Sequence, residues 1–499
     1  MPKRSTANSE TIPPPLMGIN AKDAISNMDQ SFALEMENFF PVGNAIEMRR
    51  GCSSFATGVG AGKVFDLHSY VEVDGTSHLI ATDTAHVYDC TAGGVSTNIS
   101  GLTLFTGFFT SVNFRNKIFF KSYDQGSDVY DWDGTTWNTT AFVGPSGDDK
   151  LLWFVTTYKN RIYFLDFNCS MWYGGVDAVT GALTEWDFKS LFHLGGTPTF
   201  IGPLGATASA LAEEFIVIST KGEVLLYDGD NPGATNWSLI GRYFIPEPAG
   251  PRAFIRNGQD ILVITRLGIL SLSSIINSTA ITQFSFLTDN ISPLFRDSIN
   301  ASVALGGAYD QHIVGCIYPN GNYLILNVPT TTSTSTQYVM NLVTGAWAKF
   351  TNQNAWCFGL YNSALYFGTN NGKVFLADTG YSDEDPANAG QILTRTVKLR
   401  CAFNYFGNRQ SVKQFTECRP IVYQSEGLSL TLDCNVDYND VTATSTVTDT
   451  TDTAYKLYLP RMGLKGIGKA ASIRIDGTVT TKRMSLQALE VLWNEGDIT

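Results

Sequence analysis

The sequence predicts an all-β chain built around a β-propeller of about seven blades. An extended N-terminal arm precedes the propeller and a β-sandwich-like domain follows it. Three observations predict this: a repeat with a period of about 44 residues, a composition suited to short strands, and little helical periodicity over 46–385. The chain carries 46 Gly, 31 Phe and 21 Tyr, with only 16% charged residues. Aromatic side chains suit half-buried pleated surfaces, and Gly supplies the tight turns between them.

Residues 1–45 read as the arm. Ile12-Pro13-Pro14-Pro15-Leu16 is an extended polyproline segment, since Pro fixes φ and has no N–H to donate. One short helix fits within 29–40, capped by Asp29 or Ser31 and ended by Pro41 and Gly43. The apolar Leu16, Met17, Ile19, Phe32, Leu34, Met36, Phe39 and Phe40 need a surface to dock on. That surface is either the chain's own propeller or, as the functional reading expects, a neighbouring subunit or adaptor. On the second reading a chain starting at Ala45 still folds.

The propeller is expected over 46–385. Phe114-Arg115-Asn116-Lys117-Ile118-Phe119-Phe120 recurs as Tyr158-Lys159-Asn160-Arg161-Ile162-Tyr163-Phe164, and more loosely at Tyr361-Asn362-Ser363-Ala364-Leu365-Tyr366-Phe367. Each copy reads as strand, two-residue polar turn, strand. The partition is 60–104, 105–149, 150–195, 196–248, 249–300, 301–351 and a short 352–384. Residues 45–51 are placed to supply the strand that the last unit lacks, so that both chain ends close one blade. Tyr381–Pro386 reads as a linker. Beyond it, 386–499 forms the C-terminal β-domain, with strands expected at 394–403, 419–424, 428–436, 454–459, 471–476 and 486–493, the last reading alternatively as a helical turn. The Thr-rich run 441–453 reads as a solvated loop.

The net charge is −12, and the acidity is concentrated in 51–389, while 390–499 has a slight basic excess. An acidic body argues against tight nucleic-acid binding, which draws on Lys and Arg at phosphates. The eight cysteines include no CxxC pair, so the zinc-site pattern is missing and free thiols in a reducing cytoplasm are expected. The start, Met1-Pro2-Lys3-Arg4, lacks the apolar stretch of a secretory signal. No run of about 18 apolar residues suggests a membrane-spanning segment.

The chemistry-bearing patterns are few. Asp131-Trp132-Asp133-Gly134-Thr135-Thr136-Trp137 resembles the Asp-box turn of sialidase propellers, a structural hairpin even there. A sialidase also needs converging arginines and a Tyr–Glu pair; Arg115, Arg161, Arg242, Arg252, Arg256, Arg266 and Arg296 are available, the first two at repeat positions. His68, His78, His86, His193 and His312 have no metal-ligand spacing. Asp228-Gly229-Asp230-Asn231 and Asp383-Glu384-Asp385 lack the full ligand spacing of a calcium loop. The sequence therefore assigns no catalytic, cofactor-binding or metal residues, no cofactor and no enzymatic activity.

Pro13-Pro14-Pro15-Leu16-Met17-Gly18-Ile19-Asn20, Lys22-Asp23, Met28-Asp29, Met36-Glu37-Asn38-Phe39-Phe40-Pro41, Glu47-Met48-Arg49-Arg50-Gly51-Cys52 and Phe55-Ala56-Thr57-Gly58 together resemble the opening of tail nozzle or hub proteins of short-tailed bacteriophages, the packaged-DNA stabilisation family. Asn404-Tyr405-Phe406-Gly407, Lys413-Gln414-Phe415 and Arg419-Pro420 are similar to the β-domain that follows the propeller there, so the likeness spans the chain. The resemblance implies a structural virion protein, assembled in the host bacterial cytoplasm as a homo-hexameric ring below the portal and adaptor. Needle, spike or fibre proteins would lie distally. The ring would enclose the channel that retains and then releases double-stranded DNA, without sequence-specific binding, and acidic walls would keep the cargo from sticking. A glycan- or receptor-binding propeller is the second class of reading, and a sialidase-like glycosidase the third.

Overall fold

The structure is a computed structural model that describes residues 7–101, 107–144, 147, 149–205, 213–278, 285–306, 312–388, 390–425, 428–439, 445–448 and 455–495. It is a mostly-β fold with a β-propeller and additional sheets. Four free-standing antiparallel sheets of four strands cover 66–98, 109–140, 152–187 and 198–244, and a three-stranded sheet covers 254–271. The repeated turn explains their regularity. Arg115 and Asn116 have φ of 49° and 57°, Lys159 and Asn160 45° and 56°, and Asn362 and Ser363 46° and 60°. The flanking pairs are Phe114↔Lys117, Tyr158↔Arg161 and Tyr361↔Ala364. Two left-handed residues between paired strands make the turn whose twist matches the strands, and Asn tolerates that conformation well.

Each pair of neighbouring sheets encloses its own apolar layer. Tyr70, Ile80, Phe120 and Trp132 fill the first interface, and Phe119, Val129, Val155 and Phe164 the second. Tyr163, Met171, Phe215 and Leu225 fill the third, and Ile216, Leu226, Ile261 and Val263 the fourth. Alternation along each strand supplies one side chain to each flanking layer, so a blade is apolar on both faces.

Two further antiparallel runs of four strands are parts of larger sheets. Val314–Tyr318, Tyr323–Pro329, Ser335–Asn341 and Trp347–Phe350 continue through Ala33–Glu37 into Arg395–Cys401, Ala471–Val479, Ser429–Val436 and Ser445–Thr448. Cys357–Tyr361, Ala364–Gly368 and Lys373–Thr379 are completed by Gly51–Thr57. That last group packs on the first blade through Val64, Leu67, Cys357, Tyr361 and Val374. A seven-stranded sheet holds Phe39–Val42, Ala45–Met48, Met484–Glu495, Lys413–Gln424 and Lys456–Tyr458, with Ala7–Ile12 on Met484–Glu495 and Met462–Gly468 on Lys413–Gln424. Leu399, Leu432 and Ile475 from one large sheet and Phe415, Val422, Leu486 and Val491 from the other belong to one core.

Five expectations need correction. Residues 1–45 are not a free arm: of those described, Ala7–Ile12, Ala33–Glu37 and Phe39–Val42 are strands of the C-terminal sheets. No helix forms within 29–40, because the backbone there pairs with Arg395–Cys401, and distant pairing outweighs local propensity. The strand completing the last blade is Gly51–Thr57, whereas Ala45–Met48 pairs with Met484–Glu495. The unit 249–300 has three strands and then two helices, Leu272–Ile276 and Ser292–Ala304. The longer helix has Pro near its start and buries Phe295, Ile299 and Ser302, a four-residue spacing that was readable as a helix face. Of the Thr-rich run, Ser445–Thr448 is a strand on 429–432; 441–444 and 449–453 lie outside the described residues, as do residues 1–6.

Candidate functional site

Three of the motif residues singled out in the sequence, Asn38, Arg49 and Gly51, meet at one buried junction between the N-terminal segment, the propeller and the C-terminal sheets. Asn38 has φ 56°, which turns the chain sharply between two strands. Its Nδ2 donates to Thr351 Oγ1 and to the Thr396 carbonyl, each at 2.7 Å. Its Oδ1 accepts from Arg49 Nε at 2.7 Å and from the Thr351 N–H at 3.0 Å. All four bonding positions of the amide are used.

Arg49, only 4% exposed, spends its five N–H groups in the same place. Besides Asn38 it donates to the Arg50 carbonyl at 2.8 Å, the Thr351 carbonyl at 2.7 Å, and both Asp383 oxygens at 2.9 and 2.5 Å. The fork-to-fork geometry suits a guanidinium and would not suit Lys. Arg395 lies 3.8 Å from Asp383 and donates to the Arg49 and Tyr381 carbonyls, each at 3.1 Å. Burial, and then the charge of Arg49, lower Arg395 to about 10. One carboxylate thus holds two buried cations.

Two glycines of the same motifs are fixed by close approach. A Cβ on Gly51 would lie 1.9 Å from the Ser382 carbonyl oxygen. Gly18 has φ 73°, and its Cβ would lie 2.4 Å from the Trp347 carbonyl oxygen, where the two chains form a parallel bridge. No other residue fits where backbones touch this closely. The motifs therefore act as stitches between segments more than 300 residues apart.

A cavity of about 580 Å³ lies where the inner strands of the propeller meet, lined in part by Asp66, His68, Ser111, Phe154, Phe200 and Arg252. Arg252 ion-pairs with Asp66 and donates to the Phe65 carbonyl. Burial raises Asp66 to about 6 against the pull of Arg252 and of the Phe109 N–H. His68 Nδ1 is 2.7 Å from Ser111 Oγ, and Phe154 meets Phe200 edge-on at 5.5 Å. A space of this size accommodates a small molecule and does not pass a DNA duplex.

Two buried histidines couple folding to pH. Burial lowers His68 and His312 to about 3 each, with Arg252 adding to both and Lys63 to His312. His312 sits between Phe65 and Trp356, its Nδ1 3.2 Å from the Trp356 carbonyl. The unfolded chain takes up these protons below about 6.5, whereas the folded chain resists until about 3, so their contribution falls as pH drops through that window. Asp66 acts in the opposite sense over part of the same range. The comparison that isolates the histidine is wild type against His312→Gln: the variant should lose less stability between pH 6.5 and 4, read from denaturant midpoints.

The other candidate groups are occupied locally. Asp133 Oδ1 accepts from the Thr135 and Thr136 N–H groups and from Thr135 Oγ1, and Gly134 has φ 101°. Trp132 packs into the interface with the first blade, and Trp137 stacks on Tyr130 at 5.4 Å. Arg115, in a hairpin turn, pairs with Asp177, Arg161 donates to the Gly174 carbonyl and Arg242 pairs with Glu223, whereas Arg252 and Arg256 both line the 580 Å³ cavity. Asp383 is held by Arg49, Glu384 accepts the Ser54 N–H, and Asp385 accepts the Ala387 N–H. Asp228 accepts the Gly229 N–H and Asp230 takes Asn236 Nδ2. Among the described residues no three His, Cys, Asp or Glu side chains are grouped to hold a metal ion. All eight cysteines are free thiols; burial raises Cys52, Cys90, Cys316, Cys401 and Cys434 to about 12. No helix among the described residues is long and apolar enough to cross a membrane.

No family model and no curated protein matches this chain. Among solved structures it is similar to the WD40 β-propeller domain of Doa1, at 11% identity over 68% of this chain and 100% of that one, with a TM-score of 0.41. YCF48 from Cyanidioschyzon merolae matches at 11% identity over 65% of this chain and 98% of its own, with a TM-score of 0.41. BBS1N, solved in complex with ARL6DN, matches at 12% identity over 66% of this chain and 97% of its own, with a TM-score of 0.42. The chain is a β-propeller protein.

Proposed function

We propose that this chain is a structural protein of a bacteriophage tail, a nozzle or hub subunit that forms a homo-hexameric ring below the portal and adaptor. In this reading the ring encloses the DNA exit channel, retains packaged DNA and then releases it, and bears needle, spike or fibre proteins at its far end. The observation that carries the proposal is the junction itself. The residues behind the resemblance, Gly18, Asn38, Arg49 and Gly51, are the ones on which the close backbone contacts and the buried ion cluster depend. Motifs shared for architecture belong to a scaffold, whereas shared catalysis would have left a convergent set of reactive side chains.

The propeller reads as seven-bladed. The runs Val314–Phe350 and Cys357–Thr379 have the same up-and-down connectivity as the five free-standing sheets, and Gly51–Thr57 closes the latter run with a strand from the other chain end. Such closure ties the ring shut without an exposed edge. The acidic body is compatible with a conduit that does not adsorb its cargo. Electron cryomicroscopy of the native particle tests the assignment.

A further inference from the structure

We infer that the cavity between the 39–48 hairpin and the 318–323 turn is a binding site for a saccharide. Its volume is about 470 Å³, within the range of small-ligand sites and suited to one or two sugar rings. Its floor is aromatic. Tyr318 meets Tyr323 edge-on at 5.3 Å, and Phe40 meets both Tyr323 and Phe350 at 5.9 Å. Such faces accept the C–H side of a sugar ring.

Gln353 lines this cavity and is 5% exposed, yet its amide has no hydrogen-bond partner among the described residues. An amide enclosed this far with no protein partner faces the cavity, where water or a ligand must satisfy it. Asp378 supplies a second polar group. It is the extra residue of a bulge, between the pairs Ala377↔Cys52 and Thr379↔Gly51, with φ 55°. Bulges redirect one side chain out of the regular alternation. Among the described residues its half-buried carboxylate makes no hydrogen bond, and neither do the Arg50 guanidinium and the Tyr318 and Tyr323 hydroxyls; all four residues line the cavity.

The chemistry of this set selects the ligand class. Arg50 offers donors only, Asp378 acceptors only, and Gln353 and the two phenols offer both. Glu47 also lines the cavity, so two carboxylates, Glu47 and Asp378, stand against the one guanidinium of Arg50, Arg49 being held by Asp383. An anionic ligand meets an excess of negative charge, whereas the hydroxyls of a polyol can donate to both carboxylates and use the remaining donors and acceptors. The site stands whether or not the chain belongs to a tail.

The test uses the full-length protein and a panel of glucose, galactose, rhamnose, N-acetylglucosamine and their disaccharides, followed by saturation-transfer NMR. At least one sugar should bind, and Asp378→Asn and Gln353→Met should each weaken it at least about tenfold, the loss that one missing buried hydrogen bond produces. Because the Gln353 amide has no structural partner, Gln353→Met should also unfold at a denaturant concentration no lower than the wild type. The inference is overturned if no sugar binds, if free glycine or glutamate binds more tightly than every sugar, if both variants bind as the wild type does, or if Gln353→Met is clearly less stable.

Discussion

A chain that begins at Ala45 should fail to fold, emerging insoluble or without a cooperative denaturation transition. The truncation removes Ala7–Ile12, Ala33–Glu37 and Phe39–Val42, which are strands in the two large sheets. It also takes away Ile12, Ile19, Met36, Phe39 and Phe40, all buried in the main core. At about 1.5–3 kcal/mol for each such side chain, the loss rivals the whole ~5–15 kcal/mol that holds a domain folded. The hairpin partner of Ala45–Met48 disappears as well. Circular dichroism and urea denaturation of the truncated chain check this. A soluble product with an unchanged midpoint would mean that the segment docks elsewhere, as the arm reading of the sequence expects.

Asp383→Asn should be the most damaging single substitution, costing about 3–5 kcal/mol. The carboxylate accepts both guanidinium forks of Arg49 and neutralises Arg395 across 3.8 Å. The three side chains are at most 1% exposed. An amide keeps some hydrogen bonds but leaves two buried cations facing each other without a counter-charge. Arg395→Met should cost less, because Arg49 and Asp383 remain a satisfied pair. Urea midpoints of the two variants provide the check, and equal losses would place the energy in packing instead of charge.

Much of the propeller was legible because its signals are local. The Arg115-Asn116 and Lys159-Asn160 turns lie within single hairpins, and their left-handed backbone follows from two polar residues between strands. The C-terminal strands were legible for the same reason: 428–436 reads as a strand in isolation and is one, as Ser429–Val436. What was not legible depends on distant partners. Ile12 pairs with Leu489, Asn38 bonds to residues 313 and 358 positions away, and Arg49 finds Asp383 at a separation of 334. Nothing near Phe32-Ala33-Leu34-Glu35-Met36 states that its backbone will join Arg395–Cys401, so a local helix was the natural reading. The closing strand was displaced to 45–51 because 45–48 and 51–57 are both strand-like, and only the packing of Gly51 on Ser382 decides which joins the blade. The cavity near Gln353 draws its walls from residues 40 to 378, and no short motif encodes it.

The measurement that bears most directly on the tail assignment is an electron cryomicroscopy map of the native phage particle, resolved well enough to trace side chains in the tail. The account predicts a ring of copies of this chain directly below the portal and adaptor, in six-fold register around a channel that holds duplex DNA between subunits. Each copy should have its N-terminal strands paired with its own C-terminal sheets. A particle whose tail ring is built from another chain, or a map with this chain on the capsid surface or outside the virion, would contradict it.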